Sequence, residues 1–389
     1  MRQRLYINDM TKKPKVSIIT VCLNSAGTIE QTIRSVLGQT YPNIEYIIID
    51  GGSTDGTKEM LQKYKSGISC CLSEKDGGIY NAMNKGIENA TGEVVGIINS
   101  DDWYAPGAVE LAVSHLQTKG SQAVHGGLVF VYPDGRTREE KGTGKEVTQE
   151  LHTAMQICHP TVFARKALYE KYGGFDESYR SAADYELMLR WYVNRVTIRY
   201  IPEVMAYFRT GGYSQTDFRI GMEESYNISM KYMERYNGAR KEYYLERIRK
   251  MRAENEVRAA VKDKLAGLEE EGRRRIRERV TDGKEMILFG AGEYGLWCYE
   301  MLQGLGADIR WWMDNDRGRQ GKELLGRLIA PCMQIDAKRQ RILVGTKDYE
   351  TEVARQLEAM GIGKGGYMLG TELERLLAGE PDVPSGCKG

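Results

Sequence analysis

The sequence predicts an α/β protein built on parallel sheets, and three observations carry that expectation. Apolar runs of strand length alternate with stretches of helical spacing from residue 16 to about 104. Glycine outnumbers proline 44 to 9, which favours tight strand-to-helix turns over a low-complexity linker. A second strand, glycine turn and helix start appears after residue 281, beyond a long charged stretch. Strands and helices alternating at this length read as parallel sheet covered on both faces. Ligands then bind beyond the carboxyl ends of the strands.

In order, VSIITVCLN at 16–24 is a buried-strand run ending in polar residues, TIEQTIRSVLGQT at 28–40 has helical spacing, and IEYIIID at 44–50 is a second strand. A Gly-rich turn, a helix around KEMLQKYK, a short strand ISCCLSE, a helix AMNKGIENA and a strand EVVGIIN ending in SDDWY follow. Residues 231–280 then turn highly charged and proline-free, with Ile248, Met251, Val261, Leu265 and Leu268 at roughly helical spacing. The expected organisation is an α/β domain at 14–230, a charged helical connector at 231–280 and a smaller Rossmann-like domain at 281–378.

Composition excludes several classes of function. Lys and Arg number 55 against 54 Asp and Glu, so the chain lacks the basic excess of a protein that grips nucleic acid by its phosphates. No run approaches the roughly 20 apolar residues needed to cross a bilayer. The start, MRQRLYINDMTKKPK, has basic residues without an apolar segment, so a cytoplasmic location is expected. Seven cysteines without a C-x-x-C spacing read as reduced and mostly buried, and four histidines show no i, i+4 ligand pairing.

The acids at the strand mouths carry the chemistry. Asp50 ends the second strand, and Asp101 and Asp102 follow the strand EVVGIIN. Asp55, in STDGT, reads as a helix cap. Two adjacent carboxylates repel unless a cation is shared, and Mg²⁺ or Mn²⁺ held by one or two carboxylates plus substrate phosphates is the usual solution.

Four motifs in order complete the pattern: VSIITVCLN; SVLGQTYPNIEYIIIDGGSTDGT; DGGIYNAMNKGIENATGEVVGIINSDDWY; and HPTVFARKALYEKYGGFDESYRSAADYELMLR. Together they resemble the family 2 glycosyltransferases of GT-A fold, and within them the bacterial type that builds O-antigen, capsule or exopolysaccharide. The resemblance covers about residues 14–220. It implies transfer of a sugar, with inversion, from a nucleoside diphosphate donor (UDP favoured) to a hydroxyl of a glycan or lipid-linked acceptor. Asp50 would accept hydrogen bonds from the base, with the backbone of Leu23 and Asn24 lining the same pocket. Asp101 would face the ribose, Asp102 would coordinate the metal on the diphosphate, and Asp184 would be the catalytic base. A diphosphate whose charge is met by a cation leaves without an acid catalyst, so one general base suffices.

The chain departs from the family pattern in places. Gly51 stands where many members have a second acid, Ala183 where many have Glu before the base, Asn81 where relatives have Asp, and Met83 at a position that is basic in others. Lys85 is either a phosphate ligand or a solvated helix lysine. Arg209, in YFRTGGYS at 207–214, is a candidate phosphate ligand on a loop that could close, or the partner of a local acid. His159 lies at the active-site floor or hydrogen-bonds structurally. Trp103 and Tyr104 pack under the donor sugar or into the core.

Gly290, Gly292 and Gly295 form G-x-G-x-x-G after an apolar strand, and Asp314 ends the next strand about 20 residues on. This resembles small Rossmann-like domains that bind a nucleotide, NAD(P) or a nucleotide sugar; a degenerate structural or oligomerisation domain is the alternative. An NAD-linked sugar-nucleotide oxidoreductase or epimerase, or a non-catalytic assembly scaffold, are the competing functions. Basic charge gathers in the N-terminal tail and the connector, including Arg273, Arg274 and Arg275, while both α/β segments are mildly acidic. That distribution suits peripheral contact with an anionic membrane, or simply a solvated helix with internal ion pairs.

Overall fold

Strand β1 (Val16–Cys22) is buried along its whole length, as an apolar run without alternation requires. In the computed structural model, which describes residues 13–118, 120–140, 147–211, 218–332 and 335–378, the chain divides into two compact units at residues 1–250 and 251–389. After β1 come α1 (Ile29–Leu37), β2 (Ile44–Asp50), α2 (Thr57–Lys63), β3 (Cys70–Ser73), α3 (Ile79–Asn89), β4 (Val94–Asn99), β5 (Trp103–Tyr104) and α4 (Ala108–Leu116). They are followed by β6 (Ala123–Val131), β7 (Thr137–Glu140), β8 (Phe163–Arg165), α5 (Lys166–Tyr172), α6 (Ala183–Val193), β9 (Ile198–Arg209) and α7 (Phe218–Arg235).

These strands form one sheet in the order β3-β2-β1-β4-β8-β6-β9-β5, with β7 on β6. The first four pair in parallel, as the strand-helix alternation predicts. Beyond β4 the sheet turns mixed: β8 runs antiparallel to β4 and β6, and β5 antiparallel to β9. Helices cover both faces. Ile18, Ile48 and Ile98 pack with Ile29, Ile33 and Val109 on one side. Ile19, Ile47 and Ile97 pack with Met83, Leu187 and Trp191 on the other. Each such side chain contributes roughly 1.5–3 kcal/mol of burial, so the parallel strands are fixed in register and their carboxyl ends fall side by side.

The stretch expected as a connector contains α8 (Lys241–Gly267) and α9 (Glu270–Thr281) after the end of α7. In α9 and its surroundings the arginines are engaged locally. Arg273 donates to the carbonyls of Leu265, Leu268 and Gly304, Arg275 pairs with Glu271 at 2.6 Å, and Arg274 lies 3.9 Å from Glu278. The second unit then has β10 (Glu285–Phe289), α10 (Glu293–Gly304), β11 (Ile309–Met313), β12 (Glu323–Leu324), β13 (Arg327–Ala330), β14 (Gln340–Val344), α11 (Glu350–Ala359), β15 (Tyr367–Leu369) and α12 (Gly370–Ala378). Its sheet order is β12-β13-β11-β10-β14-β15, parallel except for the β12·β13 pair. The order reverses between β10 and β14, which is where such sheets open a crevice.

Among the described residues no helix is long and apolar enough to cross a membrane. None of the cysteines among them forms a disulfide. Of these thiols only Cys22 and Cys298 are buried and Cys71 is exposed, so the expectation of mostly buried cysteines holds for fewer of them than foreseen.

Candidate active site at the strand mouths

The parallel register sets Cys22 opposite Asp50 and Val21 opposite Asn99, so the chain leaves β1, β2 and β4 at one edge. Leu23 is 58% exposed there, and Asn24 adopts φ 51°, a left-handed conformation that Asn tolerates. The Asn24 amide donates to Ser53 Oγ at 2.7 Å and its Oδ1 accepts the Thr54 N–H at 2.9 Å. The backbone of residues 23–24 is thereby held as the rim of a groove.

Asp50 stands behind that rim. It is fully buried, accepting from the Ser53 amide at 3.1 Å, the Ser53 hydroxyl, and the Ser73 hydroxyl at 2.6 Å. Its carboxylate braces the turns after β2 and β3. Asp76, half-buried, stands beside Gly51 and accepts the Gly78 N–H at 2.9 Å. A Cβ on residue 51 would stand 2.8 Å from Asp76 Oδ2, so the glycine in place of the family's second acid leaves room for a carboxylate from another segment. Asp55, as expected, serves the backbone, accepting from Ala26 and Thr57. Lys85 is held in an ion pair with Glu74.

At the mouth of β4, the Asp102 carboxylate is 0% exposed. Its Oδ1 accepts the Arg209 N–H at 3.1 Å, whereas Oδ2 is buried without a partner, as is Asn99 Oδ1. Burial first, and the neighbouring Asp101 second, push the Asp102 carboxyl well above the usual carboxylate range. Asp101 is half-buried and raised chiefly by burial. Arg209 does not hydrogen-bond either carboxylate through its guanidinium, which donates to Gln31 Oε1 at 2.7 Å and the Asp101 carbonyl at 3.4 Å and lies 5.2 Å over the Trp103 ring. Trp103 stacks on Tyr207, while Tyr104 is core. Residues 212–214 of the expected closing loop lie outside the described residues.

A buried carboxylate oxygen that lacks a donor, next to a second acid, is an acceptor suited to a hard divalent cation. Among the described residues no group of three or more His, Cys, Asp or Glu could hold a metal alone. Mn²⁺ or Mg²⁺ at Asp102 would therefore depend on oxygens from a bound diphosphate.

Asp184 lies in the first turn of α6 and is the half-buried member of an otherwise buried run, Ala182–Leu189. Its Oδ1 accepts the Tyr185 N–H at 2.9 Å. The Tyr80 hydroxyl lies close to the main chain of Ala183 and Asp184 and is pushed up by burial and then by the Asp184 charge. His159 packs edge-on to Phe175, which stacks on Tyr80. Burial lowers the His159 pKa against the opposing pull of Asp184.

In the second unit, Gly290 has φ 109°, and a Cβ on Gly295 would run into the Gly290 carbonyl. These two glycines answer to strand-helix packing. A Cβ on Gly292 would lie 3.2 Å from Arg319. Asp314 accepts from the Ala291 and Asp316 amides and pairs with Arg319 at 3.1 Å, so its carboxylate is engaged within the protein.

Comparisons with known proteins bear on the family and the fold. The model of "Glycosyl transferase family 2" matches residues 17–173. The uncharacterized glycosyltransferase MT1564 of Mycobacterium tuberculosis is 34% identical over 183 residues, covering 46% of this chain and 70% of that protein. The PGL/p-HBAD biosynthesis glycosyltransferase of Mycobacterium bovis is 29% identical over 210 residues, covering 52% and 80%. S. aureus TarS 1-349, solved in complex with UDP-GlcNAc, shares the fold at a TM-score of 0.50 and 20% identity, covering 61% of this chain and 71% of that one. With its parallel strand mouths, acid pair and these relatives, the chain belongs to glycosyltransferase family 2.

Proposed function

We propose that the protein transfers a sugar, with inversion, from a nucleoside diphosphate donor to a hydroxyl of a glycan or lipid-linked acceptor during assembly of a cell-surface glycan. The observation that carries the reading is the unpartnered, buried Oδ2 of Asp102, next in sequence to Asp101. A divalent cation, Mn²⁺ or Mg²⁺, would neutralise charge developing on the departing diphosphate. Asp102 and the diphosphate would hold it, Asp101 takes the ribose, and the rim at Leu23 and Asn24 covers the base, with Asp50 its acceptor and Asp76, beside Gly51, a second one. Arg209 turns from Gln31 to the phosphates. Asp184 accepts the proton of the attacking hydroxyl.

Two relatives lend the reading its biological direction: one is named for PGL/p-HBAD biosynthesis, and TarS was solved with UDP-GlcNAc. A UDP-sugar is accordingly the first donor to test. A nucleotide role for the second unit would require Arg319 to release Asp314. Incubation with a panel of nucleotide sugars and Mn²⁺, following release of nucleoside diphosphate, tests the proposal. Release that is equally fast with EDTA, or undiminished in both Asp102→Asn and Asp184→Asn, overturns it.

A further inference from the structure

The start of α6 leaves a row of backbone N–H groups without helical partners, and Ala182, at the cap, has no side chain to meet them. They are met from elsewhere. Glu224 on α7 accepts from Arg180 at 2.7 Å, Ser181 at 2.8 Å and Ala182 at 2.9 Å. Tyr80 stands at the next two residues, Ala183 and Asp184, and Asp184 itself takes the amide of Tyr185. Three consecutive amides on one carboxylate fix the chain that leads directly into Asp184.

Glu224 is not what holds α7 in place. Ile228 and Tyr232 pack against Ala182, Tyr185 and Leu189, Tyr232 donates to Glu186 at 2.6 Å, and Tyr185 and Ser229 share a hydrogen bond of 2.9 Å. The approach at Glu224 is nevertheless close. A Cβ on Gly221, one turn earlier, would lie 2.9 Å from Ser181 Oγ. α7 is thus docked by its middle and reaches the α6 entry with its first turns.

We infer that Glu224 is a positioning residue of the transfer reaction: by clamping residues 180–182 it sets where the Asp184 carboxylate stands against the acceptor hydroxyl. The inference rests on Asp184 being the base, as proposed above. A carboxylate can accept all three N–H groups, whereas the amide of a glutamine presents donors to donors on one side. General-base catalysis is steep in geometry, and a displacement of about 1 Å can cost on the order of 100-fold in rate. The donor groove belongs to β1, β2 and β4, so donor binding is independent of this clamp.

The test follows UDP release with Mn²⁺ from UDP-N-acetylglucosamine, UDP-glucose and UDP-galactose, using whichever the unaltered protein turns over fastest, in Glu224→Gln, Glu224→Asp, Asp184→Asn and the Glu224→Gln/Asp184→Asn double variant. Glu224→Gln is expected to lower kcat about 10- to 100-fold with donor KM within about threefold, and Glu224→Asp to recover part of the rate. In the Asp184→Asn background Glu224→Gln should cost nothing more, because a residue acting through Asp184 has nothing left to position. A loss carried by KM, or one that multiplies with that of Asp184→Asn, overturns the inference and leaves the base assignment standing. Full activity in Asp184→Asn overturns both. If Glu224→Gln does not fold, Glu224→Asp, with the same charge and shorter reach, carries the same comparison.

Discussion

The backbone N–H of Arg209 donates to Oδ1 of Asp102 and leaves Oδ2 of the same carboxylate buried without a donor. Such an oxygen demands either a proton or a cation. The folded pKa of Asp102 is raised, so without metal its contribution favours folding below the ordinary carboxyl pKa and is lost as pH rises through the folded value. Asp102→Asn should therefore raise the melting temperature of the metal-free protein by about 2–4 °C near pH 7.5, an increment of about 1 kcal/mol. The gain should vanish near about pH 3.5, below the ordinary carboxyl pKa. The same change should cut transfer about 100-fold or more. Melting curves in EDTA at the two pH values and initial rates with Mn²⁺ check both halves.

Arg209 has a second task to lose. Its guanidinium contacts Gln31, a carbonyl and the Trp103 ring, so it can leave neutral partners for a diphosphate without breaking an ion pair. Arg209→Lys keeps the charge but loses the planar fork that matches phosphate oxygens. Donor KM should rise about tenfold with kcat changed less, and Arg209→Ala should be worse; titration with UDP and with a UDP-sugar gives the comparison. Equal KM in all three proteins would remove Arg209 from the donor site.

The parallel half of the sheet was legible because fully buried strands need continuous apolar runs, and acids at the ends of such runs have few structural uses. That logic points to Asp50, Asp101 and Asp102, whereas the rim at Asn24 is implied only by the family resemblance. It does not foresee the partners of Asp50, since Ser53 and Ser73 lie in separate turns and meet it through the β1·β2·β3 register. It misses Glu224, one acid in a charged helix some 40 residues from the amides it binds, for which no local spacing gives a signal. In the second unit the G-x-G-x-x-G pattern was visible for a mechanical reason, since Gly290 and Gly295 serve the strand-helix approach. A glycine motif of this kind predicts the turn more firmly than the ligand.

Gly51 leaves the space that the Asp76 carboxylate occupies. Restoring an acid with Gly51→Asp forces a Cβ to 2.8 Å from Asp76 Oδ2 and adds a like charge beside it. We expect a loss of stability of about 1–3 kcal/mol, the usual range for overpacking. Asp76→Gly in the same chain should recover most of it, and should also restore donor binding if the two carboxylates are interchangeable acceptors. Urea unfolding of the single and double variants, read as a double-mutant cycle, measures the coupling. Additive losses would mean that the two positions do not share the space.

His125 gives the protein an acid limit unrelated to the reaction. It lies on β6 with no exposed surface, its ring 5.3 Å from that of Tyr200 and both nitrogens without hydrogen-bond partners. Burial lowers its pKa from 6.5 to about 4. The folded state therefore holds a neutral imidazole while the unfolded chain binds a proton as pH falls below about 6.5, so the unfolded state gains protons and stability drops with pH. Between about pH 6.5 and 4 the loss approaches 3 kcal/mol, and below the folded pKa it levels off because both states are protonated. His125→Phe, which keeps an aromatic ring against Tyr200 without a titrating group, should flatten this part of the stability profile. Denaturant midpoints measured from about pH 7 to 4 should fall less steeply in the variant. Parallel profiles would show that the imidazole is solvated or protonated in the folded protein, contrary to its burial.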